Sequence, residues 1–392
     1  MTGRGKNLSI VCVKAHLLLW QRETMGAYTI TGVKMYDGDR DSHAKNVVLK
    51  AKGKTVGNIC KSIERTTDLT SLQNLGDVIN ECYIDLTLNK LRELDSDVFA
   101  QSAYIKSRSR FLDQDHLRML VIKLTVENGQ KLNDQDYAYL LSLLKWRSND
   151  LPLMPVLEFG EGVDTPIQIM EYEKFVKQML ELRTNYDLDD IAMSIPLYLP
   201  RRNISKLFDT YADVKPTFIA LDLDNKRIDS LPDGKYETIR AHFNSERIEN
   251  TFIYGMNVKP YKNGGESTSA LDVQSLHWAY NATGPTHHKF VKRQIISTDW
   301  SNAGRIFESG SLEYTHIKDN QLLDFNEWAY TNYGFEFDQM YKKNTKSVYT
   351  YLKRYNYQKT NAKLAYLSQA LNKGETETID EAYDMLPSVI HK

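Results

Sequence analysis

Apolar residues in the middle of the chain come in short β-type runs at a steady interval. Five runs, 121–127, 153–159, 191–197, 217–223 and 251–258, start about 26 to 38 residues apart, and residues 288–297 offer a sixth. Helix-like stretches at 133–147, 166–185, 203–212 and 233–248 follow the first four runs, and 268–281 follows the fifth. This is the spacing of β-α units, in which each strand leads through a crossover helix to the next parallel strand. Asn133 is a natural N-cap for the first helix, with Asp134 and Asp136 favouring its N-terminus.

A closed parallel barrel needs about eight strands, so residues 307–316 and the N-terminal segment are drafted for the remainder. The pattern predicts an α/β, TIM-barrel-like (β/α) body, with an open parallel sheet as the alternative. Residues 27–36 and 46–51 flank a polar loop at 37–43 and read as a hairpin. Residues 55–115 read as helical, because Leu72, Leu75, Val78, Ile79, Cys82 and Leu86 recur at helical spacing. The expected organisation is a weakly structured extension at 1–24, an N-terminal α+β cap at 25–117, a barrel-like domain at 118–325 and a helical basic, Tyr-rich segment at 326–392.

Composition narrows the function classes. The 392 residues carry a formal net charge of −1, which gives no global signal for nucleic acid or acidic membranes. No run reaches the roughly 18 to 20 apolar residues of a membrane span. The short run at 8–20 is broken by Lys14 and His16 and reads poorly as a signal peptide. The three cysteines, Cys12, Cys60 and Cys82, form no C-x-x-C pair, which argues against a disulfide framework or a four-Cys zinc site and for a reducing, cytoplasmic setting. No Gly-x-Gly-x-x-Gly, Gly-x-Ser-x-Gly or Walker motif is present. No cofactor is indicated. His287 and His288 are a poor metal pair, since neighbours in a strand point to opposite faces, and a capping or surface role is the plainer reading; metal: none.

In parallel β-α folds the reactive groups gather at the carboxyl ends of the strands. There the sequence places Glu158, Asp222 and Asp224 as candidate catalytic carboxylates. Asp222 and Asp224 share parity, so in a continued strand both face one side; the plainer reading is an Asx turn. Glu158 ends an otherwise apolar run, LPLMPVLEF, and needs a partner if buried, with Lys123 or Lys259 available. Asn257 and Lys259 are candidate substrate contacts, as are Arg201 and Arg202, whose guanidinium groups suit phosphate or carboxylate.

Between residues 341 and 373 eight cationic residues occur with no acidic one, interleaved with six tyrosines. Lys342, Lys343, Lys346, Lys353 and Arg354 suit phosphates, and Tyr351 and Tyr355 suit stacking on unpaired bases; the rival reading is a helix whose tyrosines pack on the body. Gly374 closes the segment. Together these features predict an enzyme acting on a nucleotide or a base in nucleic acid, by glycosidic hydrolysis or base exchange. Its partner is a single-stranded or flipped-base polymer, and no membrane is involved. The alternatives are a non-catalytic nucleic-acid-binding module and a barrel enzyme acting on a small metabolite.

Overall fold

A computed structural model of the chain describes residues 28–64, 77–109, 115–145, 149–161, 165–228, 250–260, 267–287, 305–316, 319–334 and 345–386, apart from 39, 41, 215 and 286, together with a few positions between 235 and 242. The protein is a mixed α/β structure with parallel sheets.

One five-stranded sheet runs in the order Met193–Pro196 (β10), Phe218–Asp222 (β11), Phe252–Met256 (β12), Ala282–Thr283 (β14) and Cys60–Lys61 (β4), with every pairing parallel. The second joins Ile63–Glu64 (β5), Ile79–Thr87 (β6), Leu117–Val126 (β7) and Leu151–Pro152 (β8), with Val156–Phe159 (β9) also parallel to β7. β4 and β5 are separated by Ser62 alone, whose backbone N–H donates to Thr283 O at 2.7 Å. A parallel bridge between Leu153 and Ala192 links the β8–β9 segment to the residue preceding β10. The runs predicted at 121–127, 153–159, 191–197, 217–223 and 251–258 all carry strands.

Alternation along each strand divides its side chains between two cores. In β7, Leu120, Ile122, Leu124 and Val126 pack in the cluster that contains the helices' apolar residues, whereas Leu117, Met119 and Val121 pack in the other. β11 divides likewise, Ile219 and Leu221 against Phe218 and Ala220. A parallel strand buried on both faces shows little polar alternation, and this explains a correction. Residues 79–87, expected to be helical, form β6, because Ile79, Cys82 and Leu86 are all buried whichever face they take. Residues 60–64 likewise join the parallel sheets, although the expected cap included them.

The helices expected after the first three runs form as patterned. Leu88–Ser96 (α1) and Val98–Ser109 (α2) follow β6, and Asp134–Leu144 (α3) follows β7. At the start of α3 Asn133 Oδ1 accepts from Asp136 N at 3.0 Å while Asp136 Oδ2 accepts from Asn133 N at 2.8 Å, a reciprocal capping box. Thr165–Leu182 (α4) follows β9, and Arg201–Val214 (α5) follows β10. The helix expected at 268–281 is two short turns, Leu271–Gln274 (α6) and Ser275–Trp278. Strand 288–297, the extension 1–24 and most of helix 233–248 lie outside the described residues.

The predicted hairpin is Thr29–Met35 (β1) antiparallel to Lys45–Ala51 (β2), joined by Lys54–Val56 (β3). Its Val47, Leu49 and Val56 enter the same core as Leu117 and Phe218. Its lysines bond the chain where parallel strands begin: Lys45 Nζ to Thr251 O at 2.8 Å, Lys52 Nζ to Asn149 O and Lys54 Nζ to His116 O, both at 2.7 Å. This small sheet therefore covers the amino ends of the parallel strands.

Residues 307–316 do not extend the parallel sheets. They belong to an antiparallel sheet of Ser267–Ser269 (β13), Glu313–His316 (β16) and Arg305–Glu308 (β15). Asp319–Tyr333 (α7), Thr345–Lys373 (α8) and Thr376–Asp384 (α9) complete the chain. Gly374, at φ 75°, ends α8, with Glu375 N reaching back to Ala370 O at 2.9 Å.

A buried ion cluster fastens the N-terminal sheet to the body. Asp150, its side chain 1% exposed, accepts from Arg118 Nε and Nη2, both at 3.0 Å, from Arg118 N at 2.9 Å and from Lys54 Nζ at 2.8 Å. Burial opposes its charge, but these donors prevail and hold its carboxyl below the usual range. The stabilisation is thus complete above an unfolded pKa of about 3.9 and is lost as pH falls through the lower folded value. Asp150→Ala, which strands the buried Arg118, is expected to cost about 3–5 kcal/mol in urea unfolding at pH 7. The deficit should shrink as the unfolding is repeated towards pH 2.

Candidate functional site at the carboxyl ends of the strands

The face of the sheets that carries Leu117, Met119 and Val121 is apolar near the amino ends and turns polar near the carboxyl ends. By parity the same face takes Lys123 and Thr125 from β7, Glu81, Tyr83 and Asp85 from β6, Glu158 from β9 and Asp222 from β11. Lys123 Nζ lies 2.9 Å from Glu158 Oε1, and Thr125 Oγ1 donates to Glu158 Oε2 at 3.3 Å. Lys123, and not Lys259, is therefore the partner that Glu158 required.

Asp222 is 4% exposed. Its Oδ1 accepts from Asp224 N at 2.9 Å, and Asn257 donates to the same carboxylate. Burial pushes Asp222 up to about 6, aided by the charge of Asp224 and opposed by the Asp224 backbone bond, Lys123 and Asn257. Burial also disfavours the Lys123 ammonium, but the contact with Glu158, helped by Asp222 and Asp224, raises its pKa overall. Tyr83 and Tyr198 are both driven upward, first by burial; Asp222 and Glu158 add to it in each case. Both phenols thus remain donors. Tyr198 Oη donates to Leu157 O at 2.5 Å.

Glu158, Asp222 and Asn257 are brought into one neighbourhood. Asp224 is not a second carboxylate on that strand face. β11 ends at Asp222, and Asp224 and Asn225 adopt left-handed backbone at φ 51° and 58°. The turn sets Asp224 on the rim, beside Lys226 Nζ at 3.6 Å. Asn257, at φ 56°, supports that turn by accepting Asn225 N at its backbone O, 3.0 Å away; Asn tolerates this conformation better than most residues. Lys259 is half-buried, and its backbone N donates to Lys226 O. Arg201 and Arg202 are exposed in the first turn of α5 and not in a loop, and Arg201 Nε donates to Thr238 Oγ1 at 2.6 Å.

The basic segment is a helix, and part of it packs as the rival reading expects. Lys342 and Lys343 lie outside the described residues, as does the side chain of Lys346. Tyr355 and Arg354 are 4% and 3% exposed. The Arg354 guanidinium lies 5.1 Å from the Tyr351 ring centroid and 5.6 Å from that of Tyr333, and Tyr355 meets Phe325 and Trp328 edge-on. Tyr351 is half-buried, and Lys353 is exposed.

A second group escaped the sequence reading. Glu81 is fully buried and receives hydrogen bonds from Tyr254 Oη and His287 Nε2. The His287 ring stacks on Tyr83, centroids 3.9 Å apart and planes 8° apart. His287 N donates to Asn257 Oδ1 at 2.9 Å. The available signal was Glu81 and Asp85 interrupting an apolar run, which the helical reading of 55–115 obscured.

No protein-family model matches the chain, and no curated protein matches it. Among the described residues no cluster of three or more His, Cys, Asp or Glu side chains is placed to hold a metal ion, and no helix is long and apolar enough to cross a membrane.

The raised pKa of Asp222 has a stability signature. The folded state holds this proton more tightly than an unfolded carboxyl of pKa about 3.9 does, so the group's penalty is absent below that pH and grows as pH rises through 6. Asp222→Asn is expected to stabilise the protein at pH 8 by about 2–3 kcal/mol. That gain should vanish near pH 4, as read by urea unfolding at the two pH values.

Proposed function

We propose that the parallel strands form a (β/α)8-type barrel whose carboxyl-end mouth is the active site of an acid–base enzyme. Support for the closure is that the two parallel sheets, β5-β6-β7-β8 with β9 on β7 and β10-β11-β12-β14-β4, meet at both borders: through Ser62 between β4 and β5, and at the single parallel bridge between Leu153 and Ala192. The small sheet over the amino ends leaves the opposite end for chemistry.

The proposed reaction is cleavage or exchange of a glycosidic bond, with a base of a nucleotide or nucleic acid as leaving group. The observation that carries it is the pairing of two carboxylates in unlike settings, Asp222 titrating near 6 and Glu158 held against Lys123. Carboxyl groups whose environments differ in this way divide acid and base roles. In the proposed step Asp222 gives its proton to the leaving atom as the glycosidic bond breaks. Water then adds to the anomeric carbon and passes its proton to Glu158. Such a transition state gains positive charge on the sugar. The carboxylates of Glu81, Asp85, Glu158 and Asp224 near the carboxyl ends of the strands suit that charge.

The burial of Arg354 and Tyr355 favours a nucleoside or nucleotide over a bound polymer. Released base is to be measured for nucleosides, nucleotides and single-stranded RNA and DNA. Asp222→Asn and Glu158→Gln are each expected to lower turnover about 10²–10⁴-fold in a protein that melts cooperatively. Absence of base release by the wild type across that panel would remove the glycosidic reading.

The polymer version has its own test. If α8 holds nucleic acid, Lys353→Ala weakens salt-dependent binding to single-stranded RNA without altering the melting temperature. The burial in α8 predicts the reverse emphasis: Arg354→Ala lowers the melting temperature, and Lys353→Ala leaves RNA binding unchanged.

A further inference from the structure

The loop after β14 connects the Glu81 cluster to Asp222. Its His287 side chain, 6% exposed, is anchored on Glu81 of β6 and lies flat on Tyr83 of the same strand. Glu81 is held from the other side by Tyr254 of β12. The loop also runs close beneath this cluster: a Cβ on Gly284 would sit 2.5 Å from Tyr254 Oη and 2.8 Å from Glu81 Oε2, so glycine leaves the cluster its room. Anchoring the ring fixes the His287 backbone, whose N–H points at Asn257 Oδ1. An amide has one acceptor and one donor end. With its oxygen engaged by His287, Asn257 presents its NH2 group to the Asp222 carboxylate.

We propose that His287 is a positioning residue: by latching the post-β14 loop onto Glu81 and Tyr83, it orients Asn257 and through it the carboxyl of Asp222. This rests on the reading of Asp222 as the acid for its consequence in catalysis, but not for its geometry. The other groups acting on Asp222 sit on different elements. Lys123 comes from β7 and Asp224 from the following turn, while Tyr83, Tyr172 and Tyr198 share its field. None of these depends on the His287 backbone.

The test is the titration of Asp222, followed by carboxyl-carbon NMR on the full chain without substrate. In His287→Ala the Asn257 amide loses its fixed orientation, and Asp222 loses a hydrogen bond that favours its charged form. Its midpoint is expected to rise by about 0.5 to 1 pH unit, the equivalent of one such bond. His287→Gln, whose amide can still donate to Glu81, should restore most of the wild-type midpoint. Asn257→Gly, which removes the amide while keeping the left-handed backbone, should give the same rise, and combining it with His287→Ala should add nothing further. An unchanged midpoint in folded His287→Ala, or additive shifts in the double variant, would overturn the latch. If His287→Ala does not fold, Glu81→Gln, which weakens the anchor while keeping its shape, serves instead with the same expected direction and the same overturning result. Where substrate turns over, kcat in His287→Ala should fall with KM little changed. Failure of base release in the wild type would remove the glycosidic reading and leave the titration to decide the latch.

Discussion

Two-sided burial of the parallel strands constrains everything else in this protein. A strand in β7's position cannot send alternate residues to water, so its two faces fill separate apolar cores, Leu120 and Ile122 on one side and Met119 and Val121 on the other. Polar groups on such strands are tolerated only where partners satisfy them. At the amino ends the partners come from the β1–β3 sheet, whose Lys54 joins Arg118 on Asp150. At the carboxyl ends the polar groups satisfy one another, Lys123 with Glu158, Asn257 with Asp222 and His287 with Glu81. The two ends therefore solve the same problem differently. The first gathers two cations on one buried carboxylate, and the second spreads its carboxylates over Lys123, Asn257 and His287.

The burial of Asp222 is costly to the fold. Asp222 is buried and titrates near 6, so above that pH the native state carries a carboxylate that it solvates less well than water would. The Asp150 cluster runs the other way, its carboxyl held low by four donors. A protein that can drive a buried aspartate down in one place and leaves another raised has placed the second under a different demand, and perturbed groups of this kind concentrate at functional sites.

How far the sequence revealed this depends on which physical signal each residue carries. The β-α beat was legible because β-branched and leucine-rich runs of strand length recur with helices between them, and the Asn133 capping box is a local pattern that needs no tertiary knowledge. Glu158 was legible because a carboxylate in LPLMPVLEF demands a cation, and Lys123 supplies one. β6 was not, since residues buried on both faces satisfy helical and strand periodicity alike. With β6 misread, Glu81, Tyr83 and Asp85 could not be placed on the site face, and His287 had no visible partner. For Asp224 the Asx-turn reading held, Asp222 Oδ1 accepting from Asp224 N, and the parity reading did not: parity lasts only while the strand continues, and the left-handed turn begins one residue after Leu223.

The C-terminal helix shows how one composition serves two readings when contact geometry is unknown. Lysine interleaved with tyrosine matches a surface that grips nucleic acid, and the same helix packs Leu352, Leu364, Leu367 and Leu371 into apolar clusters. Arginine buried against tyrosine faces is stabilised by the ring quadrupole; Arg354 lies within 5.6 Å of both Tyr333 and Tyr351, whose rings meet edge-on. Asn361 replaces a strand partner by bonding both N and O of Lys61, at 2.7 and 3.1 Å, and Lys61 Nζ reaches Asp272 and, at 3.1 Å, Tyr314 Oη. The helix thus closes the exposed outer side of β4 by polar means. Of the cations of α8, Lys353 is exposed and lies 5.8 Å from the Tyr357 ring centroid.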